Sequence, residues 1–433
     1  AAAGLVPCAE GAGGGALSLL DTVRRALCFN PRTRQAWAAV EAEAAGVGLG
    51  RSAYLPTLSV SASAAKVNEI DSSPDVPELD SSLHGSSNEE TIGLNWVVYD
   101  FGLRAANLRQ ARALLDAATA SQDETIQAVF IEAAKDYFTA QQAQAAVAAD
   151  QETERAAKQS MDAVEVKVGA GVGAEADWLQ AKTAYAQASL NRIRAEEGLK
   201  NALGVIAIAI GLRPGAGLFL APPSDSVADV PQLTAMADEL IDRALRSHPR
   251  IAAAQARLDA AQDAVAAARA SGRPTLAFAA VGDRSDNPIN RVSSQQTIDT
   301  SSIGLQLTIP LFEGFSRTYR VRRAQAEAEG KQADLAEVQQ EVTREVWQSY
   351  VAVRGSSENL AASKVLLDTA IESYNLALGR YKSGVGGVVE LLKAQADLAA
   401  AREEDVLAKT RWRLSRLQLA ASLGLIEFSS LRQ

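Results

Sequence analysis

Two stretches of the chain read alike. Residues 92–104 are IGLNWVVYDFGLR, and residues 303–317 are IGLQLTIPLFEGFSR. In both stretches apolar residues alternate with small or polar residues, which is the pattern of a half-exposed β-strand. A short turn and an arginine follow, and a long segment with helical composition then begins. The sequence therefore contains the same strand-to-helix junction twice.

The repeat extends through most of the chain. Tyr137 corresponds to Tyr350, and the GVG of residues 171–173 corresponds to the GVG of residues 384–386, both at an offset of 213. Repetition at a fixed offset indicates a duplicated structural unit. The copies of a soluble helical repeat can vary in length independently. The constant offset therefore favours two copies that must span the same distance side by side.

The repeat predicts how the chain is divided. Each copy is predicted to contain a helix, a β-hairpin and a helical hairpin. The predicted ranges are 1–30 for an extended N-terminal segment, 31–212 for the first repeat with hairpins 56–99 and 103–212, 213–240 for a linker, 241–425 for the second repeat with hairpins 274–310 and 316–425, and 426–433 for a C-terminal tail.

The longest predicted helices are much longer than the helices of ordinary globular domains. Residues 103–168 contain neither Gly nor Pro, and at about 1.5 Å per residue one helix of that length reaches roughly 100 Å. Glycine-rich segments at residues 169–173 and 384–387, here called the glycine turns, reverse the chain after each long helix. The predicted class is mainly α with a small β part.

The predicted strands have one apolar and one small polar face. Leu58 and Val60 alternate with Ser59 and Ser61, and a strand of about ten such residues crosses a bilayer. A soluble antiparallel sheet packed on helices explains the same alternation. Four strands cannot close a barrel, and open edges are not tolerated in lipid. Two copies would give a filled barrel of eight strands, and three would give twelve strands with room for a pore. The trimer is the smallest assembly with an open pore, and the repeat and the helix lengths favour membrane-crossing strands over the soluble sheet.

Composition excludes several classes of protein. The 43 Lys and Arg residues against 52 Asp and Glu residues give a net charge of −9, which argues against nucleic-acid binding. No uncharged run reaches the roughly 18 residues of a membrane helix. Residues 1–15 lack a basic start and an apolar core, so we do not expect them to be a signal peptide.

Candidate chemical groups are few. His84 and His248 have no spaced Cys, Asp or Glu partners, so the sequence predicts no metal, cofactor or catalytic site. Cys8 and Cys28 are either two ordinary thiols or one disulfide that fixes the N-terminal segment in an oxidising compartment, and the disulfide is favoured. No small residue directly precedes Cys8, which argues against lipid attachment.

The order of several motifs carries a resemblance. It rests on helix starts at Asn30-Pro31 and His248-Pro249, on the turns VYDFG at 98–102 and PLFEG at 310–314, and on RYKSG at 380–384 followed by VELL at 389–392. In this order the chain resembles the TolC family of outer-membrane factors. The resemblance implies a homotrimer with a 12-stranded barrel in the Gram-negative outer membrane and a helical barrel through the periplasm. It also implies a far tip that docks a periplasmic adaptor (a membrane fusion protein) and an inner-membrane ABC or RND pump.

The implied function is a passive exit duct without enzymatic activity. The missing lipid-attachment site and the cysteine pair favour the branch that serves type I protein (toxin) secretion, of the CyaE type. A multidrug efflux channel is the alternative, and a structural coiled-coil protein is a remote one because it leaves the strands unexplained.

The resemblance also assigns site residues. Tyr381 and Glu390 match a lock of tyrosine, arginine and acidic residues at the mouth, but Gly386 stands at the arginine position and Lys393 at the position of a second acid. Asp177 corresponds to Glu390, so three chains are expected to place six carboxylates at the mouth. The helix dipole alone also favours acidic residues there.

Two further sets of residues have predicted partners. Small residues at the ends of helices allow another helical hairpin to approach, so the predicted adaptor contacts are Gly171, Val172, Gly173, Gly384, Val385 and Gly386. The alternation along the strands predicts the lipid-facing residues, which are Leu58, Val60, Leu94, Trp96, Leu305 and Leu307.

Overall fold

The fold is mainly helical. The computed structural model describes residues 16–72, 75, 81–221, 236–288 and 295–424. Within those ranges the elements are α1 (Leu19–Phe29), α2 (Pro31–Ser52), β1 (Thr57–Asp71), β2 (Ser81–Tyr99), α3 (Leu103–Gly169), α4 (Glu175–Ala209), α5 (Ala237–Ser247), α6 (Pro249–Ala270), β3 (Thr275–Pro288), β4 (Gln295–Thr308), α7 (Ser316–Lys382) and α8 (Val388–Ser422).

The duplication seen in the sequence is present in the structure. The helices α3 and α7 each have 67 residues, and α4 and α8 each have 35. Pro31 and Pro249 each open a helix of 22 residues, where the fixed φ of proline suits the first turn. Two tandem structural repeats of a mainly α chain are thereby confirmed. Among the described residues, no helix has both the length and the hydropathy needed to cross a membrane.

The chain divides into two compact units, and each draws on both repeats. The sheet unit comprises residues 39–119 and 253–336, and the helical unit comprises residues 1–38, 120–252 and 337–433.

The sheet unit contains one antiparallel sheet with strand order β1-β2-β3-β4. Directly opposed residues share a face, and the register brings apolar residues of all four strands onto one face. One row across the sheet consists of Leu58, Leu94, Ala280 and Ile303. The neighbouring row on the other face contains Ser59, Gly93, Val281 and Ser302.

The strands are longer than the sequence predicted. The alternation predicts strands of about ten residues, but β1 continues to Asp71, β2 begins at Ser81 and β4 begins at Gln295. Backbone hydrogen bonds between neighbouring strands form whatever the side chains are. Strand pairing therefore continues into polar sequence, where no apolar alternation marks it.

A hydrogen-bonded turn joins β2 to α3. The carboxylate of Asp100 accepts hydrogen bonds from the backbone N–H groups of Gly102 and Arg104, at 3.2 and 2.8 Å, and from Nε of Arg104 at 2.9 Å. Arg104 also donates to the carbonyl oxygens of Val97 and Val98. Burial raises the pKa of Asp100, but the hydrogen bonds from Arg104 outweigh it, so the net pKa is lowered.

The described residues of the helical unit form two buried clusters. One packs Val23 and Ala26 of α1 against Tyr137 and Ile206. The other, called the tip cluster, lies next to the glycine turns, and its members include Val164, Ala181, Tyr374, Tyr381, Val388 and Leu391.

The prediction of an extended segment over residues 1–30 is wrong for its second half. Ser18 caps α1 by accepting a hydrogen bond from the backbone N–H of Asp21, and the buried Val23 and Ala26 provide an apolar face. Cys28 lies in α1 and Cys8 lies outside the described residues, so the disulfide stays a prediction. The predicted tail, residues 426–433, also lies outside them, and the predicted linker already becomes helical at Ala237.

Candidate functional site at the glycine turns

Both glycine turns end their helices in the same way. In the first, the N–H of Val172 donates to the carbonyl of Lys167 and the N–H of Gly171 to that of Val168, both at 3.0 Å. In the second, the N–H of Val385 donates to the carbonyl of Arg380 at 3.0 Å. This pattern requires a left-handed residue, and Gly171 and Gly384 supply it with φ of 74° and 83°.

A second glycine in each turn lies close against the backbone of the preceding helix. A Cβ at Gly173 would lie 3.0 Å from the Val168 backbone nitrogen, and a Cβ at Gly386 would lie 3.1 Å from the Tyr381 nitrogen and from Cβ of Arg380. A side chain at either position would therefore require the neighbouring backbone to shift by a few tenths of an ångström. The glycine at the position where the resemblance implies an arginine is part of the geometry of the turn.

Two exposed valines project from the turns. Val172 is 76% exposed and Val385 is 73% exposed. Apolar side chains at the end of a helical hairpin usually pack against the last turn or against a partner. These two are accessible in the isolated chain, so the adaptor contact stays a prediction with suitable geometry.

Tyr381 of the predicted lock is held inside the tip cluster. Its side chain is 5% exposed, and Nζ of Lys167 lies 4.1 Å from the centroid of its ring. The same ammonium group donates a hydrogen bond to the Tyr381 carbonyl oxygen. Burial raises the pKa of the Tyr381 hydroxyl and the charge of Asp177 raises it further. Lys167 therefore fastens α3 to the end of α7 by a cation–π contact and a charge-assisted hydrogen bond.

The predicted acidic residues have different surroundings. Glu390 forms an ion pair with Arg380, Nε to Oε1 at 3.4 Å, with both side chains about half exposed. Asp177 is partly buried and acts electrostatically on Tyr381. Lys393 is exposed on α8, three residues after Glu390. The chain brings Asp177 close to Tyr381, whereas Glu390 is balanced by a cation of its own.

Sequence reasoning missed the two cations. Lys167 and Arg380 are separated by the same offset of 213 residues as Asp177 and Glu390. Each repeat therefore carries a basic residue before its glycine turn and an acidic residue after it. This duplicated pair of a basic and an acidic residue is visible in the sequence and could have identified both cations.

The histidines do not form a site. His84 is exposed on β2, and the buried His248 accepts a hydrogen bond at Nδ1 from the N–H of Arg250, in the first turn of α6. In the part of the chain that the structure describes, no group of His, Cys, Asp and Glu side chains has metal-binding spacing.

The order of elements, the repeat and the turns agree with comparisons to known proteins. Residues 22–212 and 240–425 match the family model described as outer membrane efflux protein. The chain belongs to this family. Its members are outer-membrane channels that extend through the periplasm, and the chain is accordingly an outer-membrane export duct. The resemblance to TolC-type outer-membrane factors is thereby confirmed.

Individual relatives agree with membership of the outer membrane efflux protein family. Protein CyaE of Bordetella pertussis is 32% identical over 411 residues, which are 94% of this chain and 84% of the relative. The alkaline protease secretion protein AprF of Pseudomonas aeruginosa is 25% identical over 422 residues, 96% of this chain and 86% of the relative. The solved structure of the outer-membrane channel OprN has a TM-score of 0.81 at 22% identity, and covers 94% of this chain and 89% of OprN.

Proposed function

We propose that three copies of the chain join their sheets into a 12-stranded barrel in the outer membrane. The observation that carries this proposal is the four-stranded sheet with an apolar face, in which β1 and β4 each pair on one side only within the described chain. Unpaired edges are not tolerated in lipid, and three copies are the smallest number that leaves a pore. Trp96, 41% exposed on the apolar face, would lie in the aromatic girdle of that barrel.

We further propose that the duct serves type I protein secretion. It would receive cargo from an inner-membrane transporter through a periplasmic adaptor that contacts Val172 and Val385. The role stated in the name of AprF, alkaline protease secretion, and the 32% identity to CyaE support this assignment. The family description, outer membrane efflux protein, favours multidrug efflux as the second candidate.

Deletion of the gene distinguishes the two candidates. We expect the deletion to abolish release of the type I substrate into the medium and to leave resistance to small drugs unchanged. Quantification of the secreted protein and measurement of growth in drug dilution series provide the two readouts. Lost drug resistance with normal secretion would contradict the proposal and favour efflux.

The barrel is tested by cysteine labelling after the native cysteines have been replaced by serine. We expect cysteines at Val60 and Leu305 to react only with lipid-soluble maleimides, and cysteines at Ser59 and Gln306 to react with aqueous ones, because the two pairs lie on opposite faces of the sheet. Reversed labelling would show that the faces are assigned the wrong way round. Reaction of the cysteines on both faces with aqueous maleimides would contradict a membrane barrel.

A further inference from the structure

Arginines are concentrated where the helices meet the sheet. Residues 101–112, 264–273 and 314–323 contain three, two and four arginines respectively, and no Asp or Glu. The whole chain, by contrast, has a net charge of −9. The three stretches follow β2, precede β3 and follow β4, and all lie in the sheet unit. A strongly basic zone thus marks one end of the sheet in an acidic protein.

Some of these arginines have structural roles. Arg104 donates to carbonyl oxygens of β2, and Arg317 donates to the carbonyl oxygens of Arg269 and Gly272. Others pair with acidic residues outside the three stretches, as Arg323 does with Glu327 at 2.8 Å, although that arginine side chain is still 82% exposed. Maintenance of the turns therefore does not account for the whole zone.

Three of the arginines line one cleft. Arg109, Arg269 and Arg273 surround a space of about 320 Å³ together with Phe101, and this space is called the arginine cleft. Arg109 pairs with Asp263 at 2.8 Å, and Arg273 donates to the carbonyl oxygen of Phe101 at 3.0 Å. Asp263 balances one of the three positive charges. The cleft therefore keeps a net positive charge, which suits an anion.

The arginine cleft adjoins the apolar face of the sheet. Tyr99 is opposite Leu276, which is opposite Leu307 on that face. The ring of Tyr99 contacts the ring of Phe101 edge to face at 4.6 Å between centroids, and Phe101 lines the cleft. The surface therefore passes from apolar to aromatic to basic within a few residues.

We propose that the arginine cleft binds the phosphate of an anionic phospholipid headgroup, in the leaflet that faces the helices. The proposal rests on the proposed barrel in the outer membrane. An apolar face that ends in aromatic and then basic side chains matches the layers of acyl chain, interface and headgroup. Guanidinium groups bind phosphate oxygens in bidentate fashion, and basic residues next to a membrane favour anionic lipid.

The test measures which lipid the purified full-length trimer retains. Protein reconstituted in vesicles of phosphatidylcholine with phosphatidylglycerol is extracted in mild detergent, and native mass spectrometry counts each bound lipid. We expect wild type to retain phosphatidylglycerol at least fivefold over its share in the vesicle. The triple variant Arg109→Gln, Arg269→Gln, Arg273→Gln should retain phosphatidylglycerol only in proportion to its share in the vesicle, because the bound phosphate loses its cationic partners. The corresponding triple lysine variant should keep most of the preference.

A matched control removes three positive charges elsewhere. Arg155, Arg344 and Arg411 lie in the helical unit and their side chains are exposed, so their triple glutamine variant should retain phosphatidylglycerol as wild type does. The proposal is overturned if wild type shows no preference for phosphatidylglycerol or if the cleft variant keeps that preference. It is also overturned if the control variant loses the preference as strongly as the cleft variant does. Insertion into vesicles of phosphatidylcholine alone is scored separately. Failure of wild type to insert there would count against the barrel, while insertion without lipid preference would count only against the cleft.

Discussion

Replacement of Gly384 by valine is expected to abolish secretion while the trimer remains in the membrane. The backbone of Gly384 has φ of 83° and its N–H donates to the Tyr381 carbonyl at 3.1 Å. A left-handed conformation costs an L-residue about 1–2 kcal/mol, and a β-branched residue is an outlier there. The turn would therefore change its path and displace Val385 from the position that we assign to the adaptor contact.

The control for this variant is on the same helix. Gly379 lies within α7, and a Cβ there meets nothing within 4 Å, so Gly379→Val should secrete normally. Secreted substrate is measured by immunoblot of the medium, and trimers are measured on unheated gels of the outer-membrane fraction. Normal secretion by Gly384→Val would exclude the turn as an adaptor contact. Loss of trimers would show that the turn acts through folding.

If the predicted lock at Tyr381 closes the mouth, replacement of Lys167 by methionine is expected to favour the open state. The substitution keeps most of the chain length but removes the cation–π contact with the Tyr381 ring and the hydrogen bond to its carbonyl. Together these contacts are worth about 2 kcal/mol, so the open population should increase roughly 30-fold. Single-channel recording in planar bilayers measures the change as higher conductance or more frequent opening.

Three companion variants make this prediction specific. Lys167 contacts the ring face and the main chain of Tyr381 rather than its hydroxyl, so Tyr381→Phe should leave the conductance unchanged and Tyr381→Leu should raise it. Lys158 is exposed on the same helix, and Lys158→Met provides the charge-matched control. If Tyr381→Phe opened the channel as strongly as Lys167→Met, the hydroxyl would be the essential group and the role assigned to Lys167 would be wrong.

The same recordings test the carboxylates at the mouth. Three chains would contribute six carboxylates, but each Glu390 is balanced by its own Arg380 at 3.4 Å. We therefore expect Asp177→Asn to reduce cation selectivity more than Glu390→Gln does, because Asp177 contributes the less compensated charge. Equal effects of the two variants would indicate that the ion pair is open in the assembled trimer.

Local sequence signals located most of the fold. Proline at helix starts, glycine at helix ends and the alternation of Leu58, Val60 and their neighbours each act over a few residues, and α2, α3, α6 and α7 begin at the predicted residues 31, 103, 249 and 316. The polar ends of the strands could not be predicted, because their pairing depends on backbone groups of a neighbouring strand. The helix α1 was missed because its apolar positions, Val23 and Ala26, are recognisable only when the surface that covers them is known.

The candidate site was predicted only in part for a similar reason. Glycines with positive φ are required by the turn itself, so Gly171 and Gly384 could be located from sequence. The partner of Tyr381 could not, because Lys167 is 214 positions away and only the packing of α3 against α7 joins them. The ion pair of Arg380 with Glu390 crosses the glycine turn and depends on its exact path.

The central strand pair imposes an order on folding. Strands β2 and β3 pair residues 177 to 198 positions apart, from Tyr99 with Leu276 to Asn88 with Asp286. Each hairpin can close soon after its own turn has reached the periplasm, whereas joining the hairpins must wait until most of the chain has arrived there, and such distant closure is slow. Until then β2 presents an unprotected edge that can pair with other chains. The nascent chain is therefore most susceptible to aggregation in the interval between the two hairpins, when a periplasmic chaperone that covers strand edges would have its greatest effect.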